Sequence, residues 1–157
     1  MMASVLQRRV IDRPVCDLMA CSRRPLNLRN DITPTATLDF EAEAVKSLDW
    51  LPLAVRHKLD ATGLRVTLKQ WRAIPLSKRE ALLTCRLPDG FASRARDAGA
   101  CDGDVPSMEK TPIGHAEVER ELGCATEDAR RWLSGASPFA LYVMRKRIKK
   151  AQGKPVE

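Results

Sequence analysis

The sequence predicts an all-α protein in which two related three-helix units pack into one small domain behind a flexible, basic N-terminal arm. Apolar residues make up 44% of the 157 residues but aromatic residues only 4%, so Leu, Ala and Val must fill most of the core. These residues suit helix packing better than a β-sandwich. Apolar side chains also recur at helical spacing, and signals that start and stop helices recur after 60 residues.

The first predicted unit covers residues 39–88 and contains several helix start and stop signals. In chain order these are a helix start at Pro52, a glycine stop at Gly63, capping boxes at Thr67–Gln70 and Ser77–Glu80, and a closing Pro88. The apolar faces between them pair Val55 with Leu59, Leu68 with Trp71 and Ile74, and Leu82 with Cys85. The pattern predicts that Trp71 is buried in this unit.

The second predicted unit covers residues 111–150, and a Gly-rich, acidic stretch over residues 89–110 joins it to the first. We expect that stretch to be mostly loop, with one helical turn around 91–98. The signals of the second unit are a start at Pro112, a stop at Gly123, a cap at Thr126, a stop at Gly135 and a start at Ser137–Pro138. We expect Trp132 to be buried. The 60-residue spacing predicts an internal repeat, although low side-chain identity leaves coincidence as the alternative.

Basic charge concentrates at the two ends of the chain. Residues 1–37 contain three prolines and little apolar periodicity, which predicts a poorly ordered arm, and residues 151–157 form a tail. Residues 1–38 have a charge of +3 and residues 141–157 of +5, which leaves −1 for the middle of a chain whose total is +7. The terminal RKRIKK helix could follow phosphates or could be a solvated tail.

No pattern typical of an enzyme, metal or cofactor site occurs in the sequence. Phosphate-binding glycine motifs are missing, and neither a Ser/His/Asp set nor a Cys/His set has a local signature. Cys101, His115 and Cys124 lack the close pairs of a zinc site. An odd number of five cysteines, no apolar run that could cross a membrane and no secretory signal indicate a cytoplasmic protein.

Residues 40–83 resemble the nitrate reductase-associated protein family. The matching elements are Phe40–Glu43, Leu51–Pro52, Val55–Arg56, Lys58–Asp60, Gly63, Leu68, Trp71, Leu76, Arg79 and Leu82. Family members often have a cysteine before the Leu/Ile-Pro step, where this chain has Trp50. The resemblance implies a pathway, nitrate assimilation, with a protein partner from its machinery, and it supplies no mechanism.

Three charged residues within the resemblance form a possible interaction surface: Arg56, Lys58 and Asp60. Arg56 and Asp60 are four residues apart and could equally form an ordinary surface pair on one helix. The sequence alone leaves both interpretations open.

The segment Val118–Gly135 resembles a helix-turn-helix. In that interpretation Gly123 is the turn glycine, and Arg130 and Arg131 face DNA, with additional contacts from Lys146, Lys149 and Lys150 in the tail. Three acids oppose it, since Glu119 is large for close helix approach and Glu127 and Asp128 would meet phosphates. An ordinary helical hairpin is the alternative. The leading hypothesis is therefore a non-enzymatic accessory protein, and a DNA-binding regulator is the second.

Overall fold

The computed structural model describes residues 27–103 and 112–153. Eight helices lie in these ranges: α1 (Glu43–Lys46), α2 (Leu53–Thr62), α3 (Leu68–Ala73), α4 (Leu76–Thr84), α5 (Phe91–Asp97), α6 (His115–Leu122), α7 (Thr126–Gly135) and α8 (Pro138–Ala151). In the same ranges two short antiparallel strands, β1 (Leu64–Arg65) and β2 (Cys101–Asp102), pair with Leu64 opposite Asp102. The predicted all-α class is confirmed.

Several predicted signals lie where the sequence placed them. Gly63 and Gly123 end α2 and α6 with φ values of 71° and 63°, in the left-handed region that favours glycine. Thr67 and Gln70 form the expected capping box of α3. Ser137 caps α8 by accepting the amide of Ala140, with Pro138 at the first helical position.

Other helix boundaries differ from the prediction because a neighbouring residue takes the capping position. Pro75, not Ser77, precedes α4, and its carbonyl accepts the amides of Lys78 and Arg79. Ala125 precedes α7, so Thr126 is already helical. The starts expected at Pro52 and Pro112 lie at Leu53 and His115, and Pro88 follows a helix that has ended at Thr84.

Gly135 is the last residue of α7 and has no positive φ, so it is not the predicted left-handed stop. A Cβ there would lie 2.7 Å from Nδ2 of Asn30. The glycine therefore allows the segment that contains Asn30 to approach the end of α7 closely. The approaching segment belongs to the predicted arm. Leu28 is buried, and the Asn30 carbonyl accepts the amide of Ser137 at 2.6 Å. The last part of the predicted poorly ordered arm, residues 27–37, therefore packs against the second unit, and residues 1–26 lie outside the described residues.

The stretch expected to be mostly loop, residues 89–110, contains a helix, α5, where the helical turn around 91–98 was predicted, and it contributes to the first core. Phe91 and Ala95 of α5 are buried, and β2 pairs with β1. These contacts cross from one part of the chain to another, so local composition does not reveal them. Residues 104–111 lie outside the description.

Two apolar clusters fill the interior, and α2 contributes to both. Trp71 lies in the cluster of the first unit and Trp132 in that of the second, and both are buried as predicted. Val55 faces the first cluster while its neighbour Ala54 faces the second. Because α2 also packs against α4, α5 and α8, it joins the two halves into one body.

Candidate functional site

Of the three predicted interaction residues on α2, Arg56 and Asp60 line one groove and Lys58 does not. Lys58 is fully buried, and its Nζ donates to the carbonyls of Leu82, Leu83 and Cys85 at 2.7, 2.8 and 2.8 Å. Its Nζ also lies 5.2 Å from the ring centre of Phe91. Burial lowers the pKa of Lys58 to about 8. Lys58 thus satisfies the free carbonyls at the end of α4, and its assignment to an interaction surface is wrong.

Asp60 lies at the junction of α2 and α8. Its Oδ2 accepts a hydrogen bond from the hydroxyl of Tyr142 at 2.8 Å. Burial, followed by this hydrogen bond, raises the pKa of Tyr142. The ammonium of Lys146 lies 5.2 Å from the centre of the Tyr142 ring, and burial lowers the pKa of that lysine. The contact is part of how the two units are held together.

His57 is a buried imidazole at the same junction. Its ring centre lies 5.3 Å from that of Phe139 and 4.9 Å from that of Tyr142. Burial lowers its pKa. Within the described residues its Nδ1 has no hydrogen-bond partner, which favours the neutral ring in an apolar setting.

The other side of α2 borders an open groove with a volume of about 370 Å³. Its lining residues come from α1, α2, β1, the start of α3 and the turn before α2: Val45, Trp50, Leu51, Arg56, Leu59, Asp60, Leu64, Arg65, Val66 and Leu68. We call this the α2 groove. The side chains of Trp50 and Leu68 are 49% and 44% exposed, although most residues of their kind are buried. The α2 groove combines exposed apolar area with charge from Arg56, Asp60 and Arg65.

Hydrogen bonds to the backbone stabilise the turn that carries Trp50. Leu48 adopts a φ of 62°, a left-handed conformation that is rare for a leucine. Its carbonyl accepts the indole N–H of Trp71 at 2.8 Å and a guanidinium N–H of Arg79. A buried donor, Trp71, and a partly buried one, Arg79, therefore hold the turn, and the Trp50 amide closes it by bonding to the carbonyl of Ala44 at 2.8 Å.

Arg65 is held at the edge of the α2 groove by the strand pair. A Cβ on Gly103 would overlap Cδ and Cγ of Arg65, so the arginine stem lies directly over that glycine. Gly103 also donates its amide to the carbonyl of Gly63 at 3.1 Å. The contact depends on the pairing of β1 with β2, so no local pattern predicts that Arg65 borders a groove.

The sequence also missed the roles of Trp50 and Leu68. Leu68 was assigned to a buried face with Trp71 and Ile74, but it is the first residue of α3 and lies half exposed. The sequence does show a tryptophan, Trp50, before the Leu-Pro step, where family members often have a cysteine. A large aromatic side chain beside a turn can indicate a contact surface.

The arginines expected to face DNA in the second hypothesis are exposed, and both are paired within α7. Arg130 Nη1 lies 3.9 Å from Glu127 Oε2, and Arg131 Nη1 lies 3.5 Å from Asp128 Oδ1. The side chains of both arginines are more than half exposed, so these pairs are weak.

The basic end of α8 is partly turned inwards. Arg147 Nε lies 3.6 Å from the buried carboxylate of Glu121 on α6, and its guanidinium lies 5.4 Å from the ring centre of Phe40. Of the three lysines proposed for phosphate contact, Lys146 and Lys149 are half-buried and Lys150 is exposed. The segment therefore stabilises the second unit besides adding charge.

Over residues 27–103 and 112–153, no group of three or more His, Cys, Asp or Glu side chains has the arrangement needed to hold a metal ion. None of the helices in these ranges has the length and apolar character required to cross a membrane.

Comparison with known proteins relates a segment of the chain to a family. No curated protein and no solved structure matched the chain. A family model did match, over a segment that contains every residue lining the α2 groove. That segment, residues 37–95, matches the conserved nitrate reductase-associated protein family, as its resemblance to that family predicted.

Proposed function

We propose that this chain is a non-enzymatic accessory protein of nitrate assimilation that works in the cytoplasm by binding nitrate reductase through the α2 groove. The single observation that supports this most is the pair of exposed apolar side chains, Trp50 and Leu68, on a groove inside the segment that matches the family. Exposed tryptophan is the residue type most enriched where proteins bind one another tightly.

The construction of the α2 groove favours binding over catalysis. The two groups whose pKa values are shifted most, Lys58 and Tyr142, form hydrogen bonds that stabilise the fold. Asp60, the carboxylate that borders the α2 groove, accepts the Tyr142 hydroxyl. The rigid turn around Leu48 keeps Trp50 in place before a partner arrives, which reduces the entropy lost on binding.

The proposal is tested by measuring the binding of purified nitrate reductase to the full chain. Trp50→Ala is expected to weaken the complex by roughly 30-fold, because removing a central interface tryptophan typically costs ~2 kcal/mol or more. Leu68→Ala is expected to weaken it less, in keeping with the smaller side chain. Binding can be followed by biolayer interferometry with immobilised reductase.

Leu76→Ala is the matched control for Leu68→Ala. Both leucines are the first residue of a helix, and Leu76 is 50% exposed but does not line the α2 groove. It should leave the dissociation constant unchanged. Equal effects of the two leucine substitutions, or a Trp50→Ala variant that binds as the wild type does, would contradict the proposal.

DNA binding by α6 and α7 is the second candidate function. In its favour, the two helices form a hairpin around a left-handed glycine, Gly123, and expose Arg130 and Arg131. Against it, Glu127 and Asp128 occupy the first turn of α7, where a phosphate would approach, and each pairs with one of the arginines.

A further inference from the structure

The charge around the α2 groove is predominantly positive. Among its described lining residues the charged side chains are Arg56, Arg65 and a single acid, Asp60. One oxygen of Asp60 already accepts the hydroxyl of Tyr142. The two arginines outnumber this single carboxylate, so the described lining of the α2 groove carries a net positive charge.

Arg65 is the cation best placed for a partner. It is exposed on β1, and within residues 27–103 and 112–153 its guanidinium has no hydrogen bond or ion pair. Its stem lies close to Gly103, which places the guanidinium at the edge of the α2 groove. A guanidinium of this kind can hold a carboxylate through two parallel hydrogen bonds.

We propose that the α2 groove recognises an acidic segment of the partner: an aliphatic side chain inserts beside Trp50 and Leu68, and a nearby carboxylate pairs with Arg65. This inference rests on the proposed function and specifies the chemistry of the docked segment. Apolar contact supplies most of the affinity, while the ion pair sets the orientation and discriminates against basic segments.

The test measures the dissociation constant of the full chain with purified nitrate reductase at about 50 mM and about 500 mM NaCl. Arg65→Glu is expected to weaken binding by about tenfold or more at low salt, because it places like charges together. Arg65→Lys should restore most of the affinity. The weakening caused by Arg65→Glu should shrink at high salt as the charges are screened.

Arg94→Glu is the matched control, since it makes the same change in charge at an exposed position on α5 away from the α2 groove. It should shift the dissociation constant by less than about twofold. Gly103→Ala keeps every charge but displaces the Arg65 stem, so it should weaken binding by a few-fold without altering the effect of Trp50→Ala.

The possible results separate the two proposals. Suppose that Arg65→Glu binds the reductase as Arg94→Glu does, while Trp50→Ala binds it weakly. The α2 groove is then the docking site, but the proposal that it recognises an acidic segment is wrong. If Trp50→Ala binds normally, the docking site itself is wrong, and the inference is overturned with it. The same conclusion follows if the wild type and reductase form no complex.

Discussion

At the scale of single residues, Lys58 shows how a charged side chain can belong to a core. Its three donors match three carbonyls at the end of α4, so no bonding capacity of the ammonium is left unused. Lys58→Met keeps the side-chain volume but leaves those carbonyls buried without donors. Each such group costs ~1–3 kcal/mol, so we expect a loss of at least ~3 kcal/mol in the free energy of unfolding.

Urea denaturation checks this value, with Lys69→Met as the control because Lys69 is exposed on α3. The control should lie within ~0.5 kcal/mol of the wild type. A Lys58→Met variant as stable as the control would show that the carbonyls find other donors.

His57 makes stability depend on pH in the mildly acidic range. Its pKa is lower in the folded protein than the ordinary value of 6.5, because burial disfavours the imidazolium. Below pH 6.5 the unfolded chain therefore binds a proton that the folded chain resists. The contribution of His57 is complete above pH 6.5 and is lost as pH falls through its folded-state pKa.

We expect His57→Gln to lose less stability than the wild type between about pH 7 and pH 5, by up to ~1.4 kcal/mol per unit by which the pKa is lowered. Thermal unfolding at several pH values measures this difference. His115→Gln, at the exposed start of α6, should keep the wild-type slope. Parallel curves for wild type and His57→Gln would contradict the assignment.

At the scale of elements, the charged side chains of α7 and α8 determine how the protein binds DNA. We expect duplex DNA to bind weakly, without sequence preference, and to be released steeply with salt. Arg130→Ala with Arg131→Ala should change this little, because the charges of Glu127 and Asp128 in the first turn of α7 oppose the approach of a phosphate there. Lys149→Gln with Lys150→Gln should reduce it. Deleting the end of α8 is unsuitable as a test, since Ile148 is buried there.

A gel-shift series with the DNA upstream of the gene that encodes this chain would measure this binding. Tight, sequence-selective binding that survives the lysine changes and disappears with the arginine pair would favour a regulator over an accessory protein.

The elements show which parts of the fold a sequence can predict. Signals confined to a few neighbouring residues were recovered, such as the left-handed glycines and the capping box at Thr67. Features that depend on distant chain were missed: α5 as part of a core, the pairing of β1 with β2, and the burial of Lys58. The family resemblance suggests a surface role for Lys58. No local pattern reveals its burial, because the carbonyls that bind it are 24 to 27 residues away.

At the scale of the whole molecule, the two halves should unfold as one. α2 supplies Ala54 to one apolar cluster and Val55 to the other, so neither half keeps its core if the other opens. We expect Trp71→Ala and Trp132→Ala each to cost ~3–5 kcal/mol, as large-to-small core changes do. Calorimetry should show a single transition that shifts in both variants.

Separate transitions, one moved by each substitution, would instead indicate independent units. Trp50→Ala serves as the comparison, because the half-exposed Trp50 should contribute little to stability. Unchanged melting in both core variants would also contradict the predicted repeat.

The hydrogen bond from the Trp132 indole to the Leu28 carbonyl, 2.9 Å long, joins residues 104 positions apart. During synthesis Leu28 leaves the ribosome long before Trp132 exists. At ~5–20 residues per second the interval is roughly 5–20 s. Throughout this interval, the carbonyls of Leu28, Asn30 and Ile32 lack the Trp132 and Ser137 donors from which they accept hydrogen bonds in the folded protein. The second half of the nascent chain therefore completes its core only when the last helix closes over a segment that was made first.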